Sequence, residues 1–223
     1  MLFGKIKLKN FELKKSNFKL INDLKLLIKE NNEILNSLKP TYKYSYSKST
    51  ILRNKNFKKI NIIGIGGSIL GVEAIYNFLK NKIKKKIVFF NNLIPNLKIE
   101  KNNKKDLNLI ISKSGNTLET IVNSNILIKN RSKNIFILEN KKNYLNNLAK
   151  KLKGEIVEHK NYIGGRYSVL SEVGMLPSEL MGLNEKNFKQ FNFLIKNKNF
   201  INNLIKSVES ILFYLSRGKS NSI

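Results

Sequence analysis

The chain of 223 residues contains no cysteine, no tryptophan and one histidine, His159. Without cysteine there is no disulfide and no cysteine-ligated zinc, and one histidine cannot build a histidine cluster around a metal ion. No apolar run reaches the about 20 residues that a membrane-spanning helix requires, and the N-terminus lacks the apolar stretch of a secretory signal. We therefore predict a cytoplasmic protein with no metal and no membrane partner, and we interpret His159 as structural.

Acidic residues are also scarce, with 15 Asp and Glu against 42 Lys and Arg and a net charge of +27. Such a balance is typical of nucleic-acid-binding proteins. Here, however, most basic residues are lysines, they are spread along the chain, and the longest run is Lys84-Lys85-Lys86. Arginine is better suited to bidentate recognition of bases and phosphates. We predict no nucleic-acid partner and interpret the charge as solvated surface; a nucleic-acid binder remains a third hypothesis.

Short apolar segments alternate with amphipathic segments from about residue 58 onward. We predict strands at 59–65, 86–90, 107–111, 134–138 and 154–158, and helices at 69–80, 117–129 and 144–152. Strands that are almost wholly apolar and alternate with helices are typical of a parallel sheet covered on both faces. The predicted fold class is therefore α/β, a three-layer αβα sandwich with a parallel sheet.

The flanking regions carry helical periodicity instead. We predict an N-terminal helical extension over residues 1–50, the α/β domain over residues 51–185 and a C-terminal helical segment over residues 186–223. Within the last segment, residues 201–216 present a long apolar face, which we expect to be exposed in this chain and to favour self-association.

Two glycine- and hydroxyl-rich segments lie where a predicted strand passes into a predicted helix: GIGGS at 64–68 and SKSGNT at 112–117. Such a junction exposes free backbone N–H groups at the positive end of a helix dipole, which suits a phosphate. Two of them in one sheet predict a phosphorylated small molecule in a crevice at its carboxyl edge. The first segment does not fit the dinucleotide fingerprint G-x-G-x-x-G, because Ile69 stands where its third glycine would be.

The segment 112–117 offers three hydroxyls, one glycine and one lysine in six residues. Helix capping explains one or two hydroxyls, and Asn116 with Glu119 fits a capping box, but three hydroxyls plus a glycine favour phosphate binding. A third segment, GGRYS at 164–168, brings the permanent planar cation of Arg166, which can stabilise negative charge on a substrate oxygen. Taken alone, this third segment is more typical of a surface arginine in a glycine-rich loop.

Together and in this order, three stretches resemble the glucose-6-phosphate isomerase family and, more broadly, the sugar isomerase (SIS) superfamily: IGIGGSILG at 63–71, SKSGNTLET at 112–120 and GGRYSVLSEVGMLP at 164–177. The resemblance implies two SIS-type domains with the active site between them, and a homodimer in the complete protein. It also implies interconversion of glucose 6-phosphate and fructose 6-phosphate through a cis-enediol, with no cofactor. By resemblance, Arg166 is catalytic and steadies the enediolate oxygen. The residues that the resemblance assigns to binding of the hexose 6-phosphate are Gly67, Ser68, Ser112, Lys113, Ser114, Gly115, Asn116 and Thr117.

The resemblance does not extend to the family's catalytic base. In the family a glutamate, a histidine and a lysine lie in later segments, and no glutamate of this chain stands in a matching context. We therefore expect an N-terminal part of an isomerase, which carries the phosphate cradle and the arginine but lacks the base and is inactive alone. The alternative is a stand-alone SIS module that binds or senses a phosphosugar without catalysis.

Overall fold

The structure, a computed structural model, describes residues 18–30, 32–93, 106–128 and 132–219. Its helices are α1 (Phe18–Lys29), α2 (Glu33–Ser37), α3 (Lys48–Asn54), α4 (Leu70–Leu79), α5 (Leu118–Leu127), α6 (Tyr144–Lys151), α7 (Glu172–Leu180), α8 (Phe191–Lys196) and α9 (Lys198–Ser216). Its strands are β1 (Lys59–Ile63), β2 (Lys86–Phe90), β3 (Asp106–Ser112), β4 (Lys133–Leu138) and β5 (Glu155–Glu158). In these ranges no helix is both long and apolar enough to cross a membrane.

The described residues group into two compact units. One unit takes the residues from Tyr42 to Lys189 and contains the sheet; the other takes the described residues of 1–41 and of 190–223, which are helical. The predicted domain limits at residues 51 and 185 stay a prediction, and the first part of the predicted helical extension, residues 1–17, lies outside the described residues.

All five strands are parallel, in the order β2-β1-β3-β4-β5. The chain moves from β1 outward to β2, then returns to the other side of β1 and continues outward through β3, β4 and β5. The winding direction therefore changes between β1 and β3. In open parallel sheets of this kind, ligands bind at the carboxyl ends of the two strands that flank this switch point. The α/β class is confirmed.

Each face of the sheet carries its own apolar core, because successive side chains of a strand point to opposite faces. The core on one face includes Ile62, Leu109 and Ile137 of the sheet with Val72 of α4 and Leu176 of α7. The core on the other face includes Ile63, Ile110 and Phe136 of the sheet with Leu127 of α5 and Leu145 of α6. Helices thus cover both faces, which confirms the three-layer arrangement.

One buried row across the sheet is polar, although we predicted nearly apolar strands. Asn61, Asn108 and Asn134 are neighbours in the register of β1, β3 and β4. The Asn61 amide donates to Asn108 Oδ1 at 2.9 Å, and the Asn108 amide donates to Asn134 Oδ1 at 2.8 Å. Buried amides that hydrogen-bond to each other in this way favour one register, since a slip would break these bonds. The row therefore fixes how far β1 and β3 extend relative to each other.

The helical unit has an apolar groove of about 540 Å³, lined by residues of α1 and α9 that include Leu24, Leu27 and Val208. Further along α9, Ile211, Leu212 and Leu215 are about half exposed. The apolar face predicted for residues 201–216 is therefore present on α9, and only part of it is buried.

Candidate functional site

The two glycine- and hydroxyl-rich segments lie side by side at the carboxyl edge of the sheet, directly at the switch point. Segment 64–68 follows β1 and segment 112–117 follows β3, and these strands are hydrogen-bonded neighbours. The backbones are so close that a Cβ added to Gly64 would lie 2.8 Å from the carbonyl oxygen of Ile111. Both segments therefore start from the same point of the edge.

The segment after β1 presents backbone to this edge. Residues Gly66–Ser68 form one 3₁₀ turn, and Gly66 has a φ of +55°, in the left-handed region that favours glycine. Helix α4 starts at Leu70, and its N-cap residue, Ile69, makes no side-chain capping bond. Gly67 is exposed and Ser68 is half-buried, so both predicted binding residues lie at the open edge.

The third segment, 164–168, packs on the first one. It forms the start of a 3₁₀ helix over Gly165–Leu170, and a Cβ added to Gly67 would lie only 2.5 Å from the carbonyl carbon of Gly165. The Ser168 hydroxyl lies 2.7 Å from the Gly165 oxygen and 3.3 Å from the Gly67 oxygen. The chain thus brings Arg166 next to the segment that follows β1, although about 100 residues separate them in the sequence.

The side chain of Arg166 is exposed. It has no hydrogen bond or ion pair with any residue that the structure describes. A guanidinium remains charged at all accessible pH values and offers five N–H donors, so Arg166 provides an uncommitted cation beside the switch point.

The three hydroxyls of segment 112–117 converge. The Thr117 Oγ1 atom lies 3.2 Å from Ser112 Oγ and 3.4 Å from Ser114 Oγ. Ser112 is buried and its oxygen accepts from the Gly115 N–H at 3.2 Å, while Ser114 is exposed and its oxygen accepts from the Asn116 N–H at 3.3 Å. The hydroxyl cluster therefore runs from the buried end of β3 to the open edge.

The predicted capping box of Asn116 and Glu119 is wrong. The N-cap of α5 is Thr117, and no side chain of the described residues caps this helix. The Asn116 carboxamide oxygen instead accepts from the backbone N–H of Tyr144, at the start of α6, at 3.0 Å. Because Asn116 serves the neighbouring helix, the positive end of the α5 dipole is left without a side-chain acceptor beside the hydroxyl cluster.

The N-terminus of helix α6 and the residue that follows β4 hold this segment in place. The Leu145 N–H donates to the Gly115 carbonyl at 3.1 Å, and the Glu139 N–H donates to the Lys113 carbonyl at 3.1 Å. Asn143 caps α6 by accepting from the Asn146 N–H at 2.8 Å, and its amide group lies where a Cβ on Gly115 would stand. The sequence analysis missed Asn143; an asparagine directly before the predicted helix 144–152 was the available signal.

Lys113 points toward β4 and β5. Its ammonium donates to the Asn161 carbonyl at 2.7 Å and lies 3.5 Å from Glu139, whose other oxygen is 2.8 Å from the Lys141 ammonium. Burial alone would raise the pKa of Glu139, but the hydrogen bond and the charge of Lys141, together with Lys113, outweigh burial and lower this pKa. Glu139 was not predicted from the sequence, and the prediction that Lys113 takes part in substrate binding stays a prediction.

His159 directly follows β5. Its ring is buried, with Nδ1 3.0 Å from the Lys160 carbonyl and 3.9 Å from the fully buried carboxylate of Glu172. Burial lowers the pKa of His159, against the opposite effect of Glu172. The Glu172 carboxylate accepts from the Tyr42 hydroxyl at 3.0 Å and from the Lys160 N–H at 3.1 Å. This arrangement fits a structural histidine, and within the described ranges no group of three metal-ligating side chains occurs.

Comparison with known proteins gives a family match over most of the chain. A sequence profile of the family described as Phosphoglucose isomerase matches residues 12–207. The glucose-6-phosphate isomerase of Methanocaldococcus jannaschii is 34% identical over 185 residues, 75% of this chain and 45% of that protein. The glucose-6-phosphate isomerase of Borreliella afzelii is 39% identical over 140 residues, 55% of this chain and 26% of that protein. The chain spans less than half the length of each of these relatives.

Among solved structures, the crystal structure of a hypothetical protein from Thermus thermophilus is similar to this chain. The TM-score is 0.58 at 20% sequence identity, over 75% of this chain and 44% of that chain. This likeness shows a shared fold.

Proposed function

Because this chain belongs to the phosphoglucose isomerase family, we propose that it binds the phosphate group of a hexose 6-phosphate at the carboxyl ends of β1 and β3. The observation that carries this proposal is the convergence of the Ser112, Ser114 and Thr117 hydroxyls at the uncapped N-terminus of α5. A helix N-terminus and nearby hydroxyl donors together make a site for a phosphate dianion.

The remaining predicted binding residues take roles that suit their geometry. Gly115 and Asn116 contribute backbone, and Gly67 with Ser68 lines the opposite wall across the switch point. The Lys113 ammonium is already bonded to the Asn161 carbonyl. We therefore propose that Lys113 contributes its positive charge and its backbone N–H, and that its ammonium does not contact the phosphate.

For the complete protein we propose the interconversion of glucose 6-phosphate and fructose 6-phosphate through a cis-enediol, in a homodimer and without a metal or redox cofactor. A proton moves between C2 and C1, and negative charge develops on the adjacent oxygen. The guanidinium of Arg166, which has no partner among the described residues, would stabilise that charge, which is a large contribution where water is excluded.

The reaction also needs a general base near C1 and C2. Glu139 lies at the same edge, but two lysine ammonium groups hold its carboxylate and lower its pKa, so it is a weak base. General base catalysis contributes about 100- to 10,000-fold to such proton transfers. We therefore propose that this chain binds the phosphosugar and, by itself, isomerises it slowly or not at all.

Binding is tested by thermal and urea unfolding of the purified chain with and without fructose 6-phosphate. A ligand at ten times its Kd should raise the free energy of unfolding by about 1.4 kcal/mol. Unphosphorylated fructose at the same concentration is the control and should have no effect. Equal effects of both sugars, or no effect of either, would contradict the phosphate site. Rapid turnover in a coupled isomerase assay would contradict the proposal that the chain alone isomerises the sugar slowly or not at all.

A further inference from the structure

Ser168 has no role in the proposed function, yet its hydroxyl contacts both the segment that carries Arg166 and the segment that follows β1. Its side chain is fully buried, at 0% exposure. The hydroxyl lies 2.7 Å from the Gly165 carbonyl oxygen and 3.3 Å from the Gly67 carbonyl oxygen. One hydroxyl hydrogen is therefore shared between backbone groups of the segment that carries Arg166 and of the segment that follows β1.

At Gly67 and Gly165 the contact between these segments is backbone against backbone. A Cβ on Gly67 would lie 2.8 Å from the Gly165 oxygen, so no side chain fits between them. One turn further on, Gly71 of α4 lies against Val169, where a Cβ would come within 2.7 Å of Val169 Cγ2. Ser168 thus supplies a directional bond at the centre of a close but non-directional contact.

Arg166 lies inside the turn that Ser168 closes, directly after the Gly165 carbonyl. Since its guanidinium has no hydrogen bond or ion pair to the described residues, the backbone of this turn determines where the side chain starts. A rigid starting point lowers the entropy that a flexible arginine loses on binding an anion.

We propose that Ser168 is a positioning residue, which holds the Arg166 turn against Gly67 so that the guanidinium meets the sugar end of a bound hexose 6-phosphate. This inference rests on the proposed function, in which the hydroxyls of residues 112–117 hold the phosphate end. Ser168 therefore affects the affinity for the sugar phosphate through Arg166 and leaves the affinity for inorganic phosphate nearly unchanged.

The test is a double-mutant cycle on the full chain with Ser168→Ala and Arg166→Ala, in which Kd is measured for fructose 6-phosphate and for inorganic phosphate. We expect Ser168→Ala to weaken fructose 6-phosphate binding about 3- to 10-fold, the range of one hydrogen bond. Its effect on inorganic phosphate should stay below about twofold, and the same substitution in the Arg166→Ala background should change neither Kd, because the residue acts through Arg166.

Ser178→Ala is the matched control. Ser178 is also fully buried and donates to a backbone carbonyl, that of Gly174, at 2.7 Å, but it lies within α7. It should lower stability as Ser168→Ala does and leave both Kd values unchanged. If Ser168→Ala does not fold, Ser168→Cys takes its place, because the thiol has a similar shape and is a much weaker donor.

Three results would overturn the inference. These are an unchanged Kd for fructose 6-phosphate in the Ser168 variant, an equal loss for both ligands, or additive effects of the two substitutions. If the unmodified chain binds neither ligand, the proposed function itself fails, and this outcome is distinct from the other three because it appears before any substitution.

Discussion

The two walls of the proposed site, one formed by the segment after β1 and one by the segment after β3, are made of different chemical groups. The wall after β1 consists of glycine backbone pressed against the backbone of Gly165, whereas the wall after β3 consists of side-chain hydroxyls and an asparagine bonded to α6. A backbone wall depends on the absence of side chains and should fail when volume is added. A side-chain wall depends on polar groups and should fail when they are removed. One wall of the site is therefore sensitive to added side-chain volume, and the other is sensitive to the loss of polar groups.

The largest effect is expected for Gly67→Ala, on the backbone wall. The added Cβ would lie 2.5 Å from the Gly165 carbonyl carbon, and the neighbour is backbone that cannot rotate away. We expect a loss of about 1–3 kcal/mol in the free energy of unfolding, the usual range for overpacking, with loss of phosphosugar binding. Urea unfolding and a binding titration measure the two effects.

Gly165→Ala is the control for this substitution, on the other side of the same contact. A Cβ there would meet Gly67 Cα at 3.7 Å, an ordinary van der Waals distance. This variant should keep nearly full stability. Equal destabilisation by both variants would mean that the wall is not limited by the volume at Gly67.

On the side-chain wall, Thr117→Val removes a hydroxyl and keeps the shape of the side chain. Thr117 Oγ1 lies between Ser112 and Ser114, and α5 has no side-chain cap to lose. We expect about 3- to 10-fold weaker binding of fructose 6-phosphate, the range of one hydrogen bond, with little change in stability. Isothermal titration calorimetry measures the affinity, and unchanged affinity would show that this wall does not contact the ligand.

The ion pairs of Glu139 with Lys113 and Lys141, next to this wall, should make the stability of the fold depend on pH. In the folded state the pKa of Glu139 lies below its ordinary value of 4.5. The ion pairs of Glu139 therefore stabilise the fold above pH 4.5. That stabilisation is lost as the pH falls through the lowered pKa. We expect unfolding free energy to decline less steeply with acidification in Glu139→Gln than in the unmodified chain, as measured by urea unfolding at a series of pH values. Parallel pH profiles would rule out this contribution.

The smallest effect is expected for Asn116→Ala, which removes the bond from the Tyr144 N–H to the side-chain oxygen. The donor lies at an exposed helix start where water can replace the acceptor. We expect a loss of about 0.5–1 kcal/mol, within the range for helix caps. If affinity for fructose 6-phosphate falls together with stability, the link to α6 also orders the hydroxyl cluster; chemical denaturation and titration of the same variant separate the two.

The apolar periodicity and the glycine breaks of the sequence were sufficient to predict the three layers and the positions of the segments 64–68 and 112–117. The strands at 86–90 and 134–138 and the helix at 69–80 were predicted to within one residue at each end, because apolar period and glycine breaks are local signals. Strand β1 ends at Ile63, two residues earlier than predicted, since the chain already turns at Gly64. Local patterns of this kind are preserved in the fold because the buried face of each element requires them.

Contacts between distant residues were not predictable in the same way. Asn116 fits a capping box by spacing, yet it bonds to a residue 28 positions later. Lys113 is predicted to bind the phosphate from its place in the segment, and its ammonium also contacts a carbonyl 48 positions later, which the local pattern does not reveal. The buried row of Asn61, Asn108 and Asn134 crosses three strands. In each case the tertiary structure supplies a partner that the local sequence does not reveal.

The bond from Ser168 to Gly67 also has a consequence for the order of assembly, because it joins residues 101 positions apart. Closing so long a loop lowers the entropy of the chain before the contact can stabilise it. Contacts of this kind therefore form late in folding. A nascent chain that has left the ribosome only as far as β4 already contains every hydroxyl of the proposed phosphate cradle. It acquires its arginine only after the whole sheet and the following turn have been synthesised and have docked.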